Sequence, residues 1–138
     1  MCNTGITPGF ELRRFLSKIR ISQYFDAMIF SDEVGIRKPD QRIFQLAARK
    51  LDTKQHETVH IGDNLKSDVW GAKSAGFKAI HVSTNKGRDK TAEEDPKSLA
   101  VLSRSLGRLQ GKQMGPDKKI DTLAMVINAI TELERTIK

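Results

Sequence analysis

One stretch, Val59-His60-Ile61-Gly62-Asp63-Asn64-Leu65-Lys66-Ser67-Asp68, limits what this chain can fold into more than any other. Residues 58–61 are apolar and β-branched, and the run has the length of a buried strand. Gly62 breaks it, Asp63 stands at its end, residues 64–67 turn the chain, and a helical pattern begins at Asp68. Two carboxylates five residues apart therefore sit at a strand end and in the first turn of a helix. In an open parallel sheet that edge is where ligands bind. Two such carboxylates suit a hard divalent cation that keeps several of its waters, which is to say magnesium. The plainer alternative is a strand, a turn and Asp68 as the helix N-cap. On this stretch alone both readings stay open.

The flanking sequence places that stretch in a repeating order. Residues 3–9 read as a loop, and residues 10–19 carry apolar side chains at 12, 15, 16 and 19, a helical stripe. An apolar run at 27–31 reads as a short strand, followed by a polar loop over 32–40. Pro39 disfavours helix at Lys38 and suits the start of the helix predicted over 41–51, with Ile43, Phe44, Leu46, Ala47 and Leu51 inward. After the acidic stretch comes a helix over 66–74, closed by Gly76 as a left-handed cap, and a strand over 78–83. Helices alternating with short apolar strands predict an α/β fold with a parallel sheet. Residues 84–115 are polar and mixed in charge and read as an exposed insertion, with room for one helix over 99–109. A short strand at 119–121 and a helix over 122–137, capped by Thr122, close a single domain spanning 1–138.

Composition removes several function classes. No apolar run approaches the roughly 20 residues of a membrane span. Residues 1–5 have neither the basic start nor the apolar core of a signal peptide. A single cysteine, Cys2, leaves no internal disulfide framework and fits a reducing cytoplasm. Net charge is +7, but residues 1–84 hold 13 Lys+Arg against 9 Asp+Glu and residues 85–138 hold 11 against 8, so the excess is spread out. Aromatic residues are not interleaved with the basic ones as a strand-binding surface needs. The charge reads as solvated surface, not as a nucleic-acid footprint.

Three separated pieces resemble one family. Residues 62–76, GDNLKSDVWGAKSAG, are similar to the acidic motif of the haloacid dehalogenase-like (HAD) hydrolases. Residues 30–40, FSDEVGIRKPD, resemble the loop that carries that family's lysine, and Asn3-Thr4-Gly5 resembles the loop closing its second strand. The tail at 116–123 is also similar to the end of many members. The resemblance implies a three-layer Rossmann-like parallel sheet. It also implies hydrolysis of a small phosphate monoester through an aspartyl-phosphate. Asp63 and Asp68 would then hold Mg2+, and Lys38 would stabilise charge on the transferring phosphoryl group. A hydrogen-bond donor near Asn3 would hold a phosphoryl oxygen. The family places Ser or Thr before this Asn, whereas here that position is Cys2, a weak donor, so Thr4 is the candidate substitute. Each has a bland counterpart: Lys38 as a loop lysine, Thr4 as a turn residue. His60 and His81 read as core or sheet-face residues, and His56 as a loop residue.

The family's first motif, a strand ending in Asp-x-Asp that supplies nucleophile and general acid/base, is not found in this sequence. Nor are the strand leading into Asn3 and the cap domain. The fold is thus expected as a HAD core truncated at its N-terminal strands, with the 27–31 strand lacking a neighbour that links it to 58–61. Three arrangements would answer this: a longer parent protein, a complementing N-terminal segment or homo-oligomer, or a sheet rearranged so that 27–31 meets 58–61 directly. Two functional classes remain in play. One is a Mg2+-dependent phosphohydrolase core acting on a small phosphorylated metabolite, inactive as this fragment for want of a nucleophile. The other is a non-catalytic metal- or phosphate-binding remnant or assembly partner.

Overall fold

The computed structural model describes residues 1–83 and 115–135. Three parallel strands, β1 (Val59–Gly62), β2 (Lys78–Val82) and β3 (Lys118–Ile120), form a sheet in the order β1-β2-β3. Helices α1 (Gly9–Lys18), α2 (Ser31–Val34) and α3 (Gln41–Lys50) precede it. Helix α4 joins β1 to β2, opening with wide turns over Leu65–Trp70 and tightening over Gly71–Ser74. Helix α5 (Val126–Arg135) follows β3.

Side-chain alternation along the strands sorts the core into two halves. Ala79 joins Ile43, Phe44, Ala47 and Ala48 of α3 and Val69, Ala72 and Ala75 beside it in one cluster. Ile80, Val82 and Ile120 face the opposite way and meet Ala129 and Leu133 of α5, with Val59 and Ile61 against them. The result is an α/β arrangement with a parallel sheet, as the alternating pattern predicts, in the three layers that the resemblance implies. His60 and His81, on the same alternation as Ala79, belong to the face that carries α3 and α4.

The predicted strand at 27–31 is reduced to a single bridge. Phe30 pairs in parallel with Cys2; the Cys2 amide donates to the Ile29 carbonyl (2.9 Å) and the Ser31 amide to the Cys2 carbonyl (3.1 Å). The chain then turns at once into α2. An extended run becomes a strand only where a neighbour continues alongside it, and among the described residues Cys2 is its one bridge partner. The rearranged sheet does not form: β1 pairs with β2, and Phe30 with Cys2. The insertion at 84–115 and its helix over 99–109 lie, but for residue 115, outside the described residues.

Helix α1 buries only part of its predicted stripe, and α5 only part of its apolar residues. Along α1, Leu12 and Leu16 are half-buried while Phe15 and Ile19 stay exposed. Along α5, Ala129 and Leu133 are inward, Val126 and Ile130 pack beside them, and Ile127 faces solvent, as does Leu123 in the turn before it. Thr122 makes no side-chain capping bond. Asp117 anchors the tail instead. Its carboxylate accepts from Lys73 Nζ at 2.9 Å to each oxygen and from the Ala79 amide (2.8 Å), while its own amide donates to the Ala79 carbonyl (2.8 Å).

Among the described residues no helix is long and apolar enough to cross a membrane.

Asp40 is the N-cap of α3: its carboxylate accepts from the Arg42 amide (2.9 Å) and pairs with the Arg42 guanidinium. Those two contacts, the guanidinium first, hold its pKa down at about 2. A carboxyl whose folded pKa lies below its unfolded value stabilises the fold above the unfolded pKa and ceases to as pH falls to the folded one. Asp40→Ala should therefore lower the urea midpoint at pH 7, and the gap from the unmodified chain should close between about pH 4 and pH 2.

Candidate active site at the carboxyl end of the first strand

Gly62 ends β1 and the chain turns over Asp63 and Asn64 into α4. Asn64 is the cap of this helix: its side-chain oxygen accepts from the amides of Lys66 (3.0 Å) and Ser67 (2.7 Å). The capping reading of Asp68 is thereby overturned, since the cap lies four residues earlier. The wide first turns, with the amides of both Asp68 (2.9 Å) and Val69 (3.2 Å) donating to the Asn64 carbonyl, leave Asp68 inside the helix and pointed at the sheet.

Asp68 is buried, and both of its oxygens accept hydrogen bonds. Oδ1 accepts from Lys38 Nζ and from His60 Nε2 (3.0 Å), and Oδ2 accepts from the Asn64 amide (3.1 Å). Burial alone would push this carboxyl up, but the hydrogen bonds from His60 and Lys38, the Lys38 charge and the Asn64 amide hold it well below the usual carboxylate range. Because an ionised carboxylate only accepts, Nε2 of His60 carries the proton in this bond. Burial, helped by the Lys38 ammonium, lowers the His60 pKa, so the ring is neutral near pH 7. The Phe44 and His60 rings meet in a T-shaped contact, centroids 5.3 Å apart at 87°.

Lys38 reaches this point from a separate loop that Asn3 fixes. The Asn3 side chain donates to the Lys38 carbonyl (2.9 Å) and accepts from the Lys38 amide (2.8 Å), so both backbone groups of Lys38 are held by one amide. The Lys38–Pro39 peptide is cis. Thr4 faces elsewhere. Its hydroxyl donates to Asp32 Oδ1 (2.7 Å), accepts from the Asp32 amide (3.0 Å) and shares a bond with Ser31 Oγ (2.9 Å). One donor and two acceptors exhaust a hydroxyl, so Thr4 serves to cap the start of α2.

Asp63 differs from Asp68. Its side chain is exposed and makes no hydrogen bond or ion pair with another described residue, while its backbone carbonyl accepts from Nε2 of the buried His81 (3.0 Å). The structure thus brings together Lys38, Asn3 and Asp68, sets Asp63 on the loop beside them, and turns Thr4 away. Sequence reasoning missed His60 and His81. The available signal was their shared parity on adjacent strands, with the small residues Ala79 and Gly62 directly opposite them in the register.

Among the described residues no group of three His, Cys, Asp or Glu side chains could hold a metal ion. The donor set here is two carboxylates. One is exposed, and the other keeps spare capacity on Oδ2, which accepts a single bond. That suits a hard cation which fills its remaining positions with water and phosphate oxygens.

A family profile described as haloacid dehalogenase-like hydrolase matches residues 9–82, more than half of the chain. This chain belongs to the haloacid dehalogenase-like hydrolases. A glyceraldehyde 3-phosphate phosphatase of Methanopyrus kandleri is 34% identical over 93 residues, covering 66% of this chain and 40% of that protein. A phosphoserine phosphatase of Thermus thermophilus is 39% identical over 62 residues, 45% of this chain and 25% of that protein. The crystal structure of a HAD phosphatase from Thermococcus onnurineus superposes with a TM-score of 0.64 at 27% identity, covering 89% of this chain and 46% of that one. The chain spans less than half the length of these HAD relatives.

Gly62 explains itself through Asp68. A Cβ at this position would stand 2.4 Å from Asp68 Cγ and 2.6 Å from Oδ2. Gly62→Ala should displace the carboxylate and cost about 1–3 kcal/mol in urea unfolding, the usual range for overpacking a closed site.

Lys38→Met leaves a buried carboxylate without its cation and should cost about 3–5 kcal/mol. Adding Asp68→Asn removes the stranded charge and should recover part of that loss. A double-mutant cycle in urea measures the coupling, and strictly additive losses would contradict a direct pair.

Proposed function

We propose that this chain is the cation- and phosphate-handling part of a Mg2+-dependent HAD phosphohydrolase acting on a small phosphate monoester. The observation that carries this reading is the junction of Lys38, Asn3, Asp68 and Asp63 at the carboxyl end of β1, the edge where open parallel sheets bind ligands. Relatives named as phosphatases of glyceraldehyde 3-phosphate and phosphoserine support a small phosphorylated metabolite as substrate.

In this reading Asp63 and Asp68 hold the cation, which when bound neutralises charge on the phosphate. Lys38 presents a fixed ammonium to the phosphoryl oxygens. Asn3 keeps the Lys38 backbone in place, so little reorganisation is needed when charge builds up. Thr4 contributes by holding Ser31 and Asp32, which sets the course of the loop leading to Lys38. The nucleophilic carboxylate is absent from this sequence, so the chain alone is expected to be inactive and to need a complementing N-terminal segment.

One observation favours a second reading, as an assembly partner. Phe10, Phe15, Tyr24 and Phe25 are each at least half exposed around α1 and the turn after it. Apolar exposure on that scale marks an interaction surface, either for the complementing segment or for a second copy of the chain.

The deciding experiment measures turnover of p-nitrophenyl phosphate with Mg2+ by the purified chain, alone and mixed with a segment carrying a strand that ends in Asp-x-Asp. The proposal expects no turnover alone, turnover in the mixture, and its loss with Lys38→Met or Asp63→Asn. Turnover that survives both substitutions would overturn it. A mixture that associates without turnover would leave the assembly reading in its place.

A further inference from the structure

We propose that His60 and His81 are positioning residues that brace the acidic loop from below, one for each carboxylate-bearing residue. They stand on adjacent strands and on the same face of the sheet. His60 pairs in register with Ala79, and His81 with Gly62, so each ring has a small residue as its cross-strand neighbour. His60 Nε2 bonds the Asp68 carboxylate at 3.0 Å, and His81 Nε2 bonds the Asp63 carbonyl at 3.0 Å. His81 is buried, and the His60 side chain is only 11% exposed. Both acceptors lack a proton, so both rings must carry theirs on Nε2.

The two bonds act at opposite ends of a six-residue loop. Asp63 begins it and Asp68 closes it, with the Asn64 amide on Asp68 Oδ2 and the Asn64 side chain on the amides of Lys66 and Ser67 between them. Those internal bonds give the loop its shape. The histidines fix that shape to the sheet, so the spacing between the two carboxylates is inherited from strand register. Phe44, buried and in edge contact with both His60 and Phe77, leaves the His60 ring little freedom to turn away. A hydrophobic side chain in either place would fill the same space and leave the loop shaped but untethered. The bracing stands on geometry alone, and only its consequence for cation affinity rests on the phosphohydrolase reading.

The test uses the full chain with His60→Leu, His81→Leu and the corresponding Gln variants, whose side-chain amide reaches to where Nε2 lies. Amide hydrogen exchange of residues 64–68 is read against residues 79–82 of β2. Each Leu variant should speed loop exchange about tenfold with β2 within about twofold, and Gln should restore most of the protection. Mn2+ affinity, used as the probe for the cation, should fall about tenfold with Leu and recover with Gln. Should a Leu variant not fold, Asn, too short to reach either acceptor, takes its place.

Loop exchange unchanged by Leu or Asn would overturn the proposal, as would equal acceleration of loop and strand in both the Leu and Gln variants. If the unmodified chain binds no Mn2+ while loop exchange responds as expected, the bracing stands and the magnesium reading falls.

Discussion

A buried ion pair between Lys38 and Asp68 joins the loop after α2 to the first turns of α4, two segments whose helices also pack in one apolar cluster. Lys38 comes from the loop between α2 and α3, Asp68 from the first turns of α4, and their side chains are only 11% and 6% exposed. Removing both from water is costly, and the mutual attraction offsets that cost only when the remaining valences are met. On the carboxylate they are met by His60 on β1 and the Asn64 amide in the turn, while Asn3 holds the backbone that carries Lys38. The carboxyl end of β1 is therefore organised around one charged contact, with the hydrophobic clusters behind it supplying a rigid floor.

That floor has to be thin where the charge sits. A carboxylate enters the space above β1 because Gly62 has no Cβ to refuse it. The helix bearing Asp68 comes close for the same reason at Gly71, where a Cβ would lie 2.8 Å from the Phe44 ring and 3.0 Å from the Pro39 backbone. Ala72 and Ala79, both without exposed surface, continue the small-residue contact into the core. Close packing of small residues thus determines how near Lys38 and Asp68 can approach, and charge pairing decides that they stay.

Much of this was legible because it is local. β1, β2, α3 and the left-handed turn at Gly76 each depend on residues within a few positions of one another, and all lie where periodicity and turn chemistry place them. The failures share a cause. An apolar stripe says that Phe15 and Ile19 are able to be buried, without saying against what, and here nothing among the described residues covers them. The run at 27–31 has strand composition, yet pairing is a property of two segments, and Cys2 offers a single bridge. Asp68 passed equally well as a cap because a cap and a tertiary ligand draw on the same chemistry, and Asn64 took the cap. His60 and His81 looked like sheet residues, which they are. Their polar ends meet the loop only once register and the β1–β2 pairing are known.

The charge count around Lys38 bears on what the site favours. With His60 neutral, Lys38 offsets Asp68 and the Asp63 carboxylate is left over among these side chains, with the Met1 amine close enough to act on both Lys38 and Asp68. A phosphate dianion approaching such a cluster gains little from the lysine, because that lysine's field is already offset by a carboxylate in contact with it. A divalent cation adds positive charge and turns the same cluster into one that favours an anion. On the proposed reading, phosphate recognition would be conditional on a cation, through the contact that also joins the Lys38 loop to α4. Freeing the ammonium to act on phosphate alone would strand a buried carboxylate, so on the proposed reading the structural and chemical roles of Lys38 are inseparable.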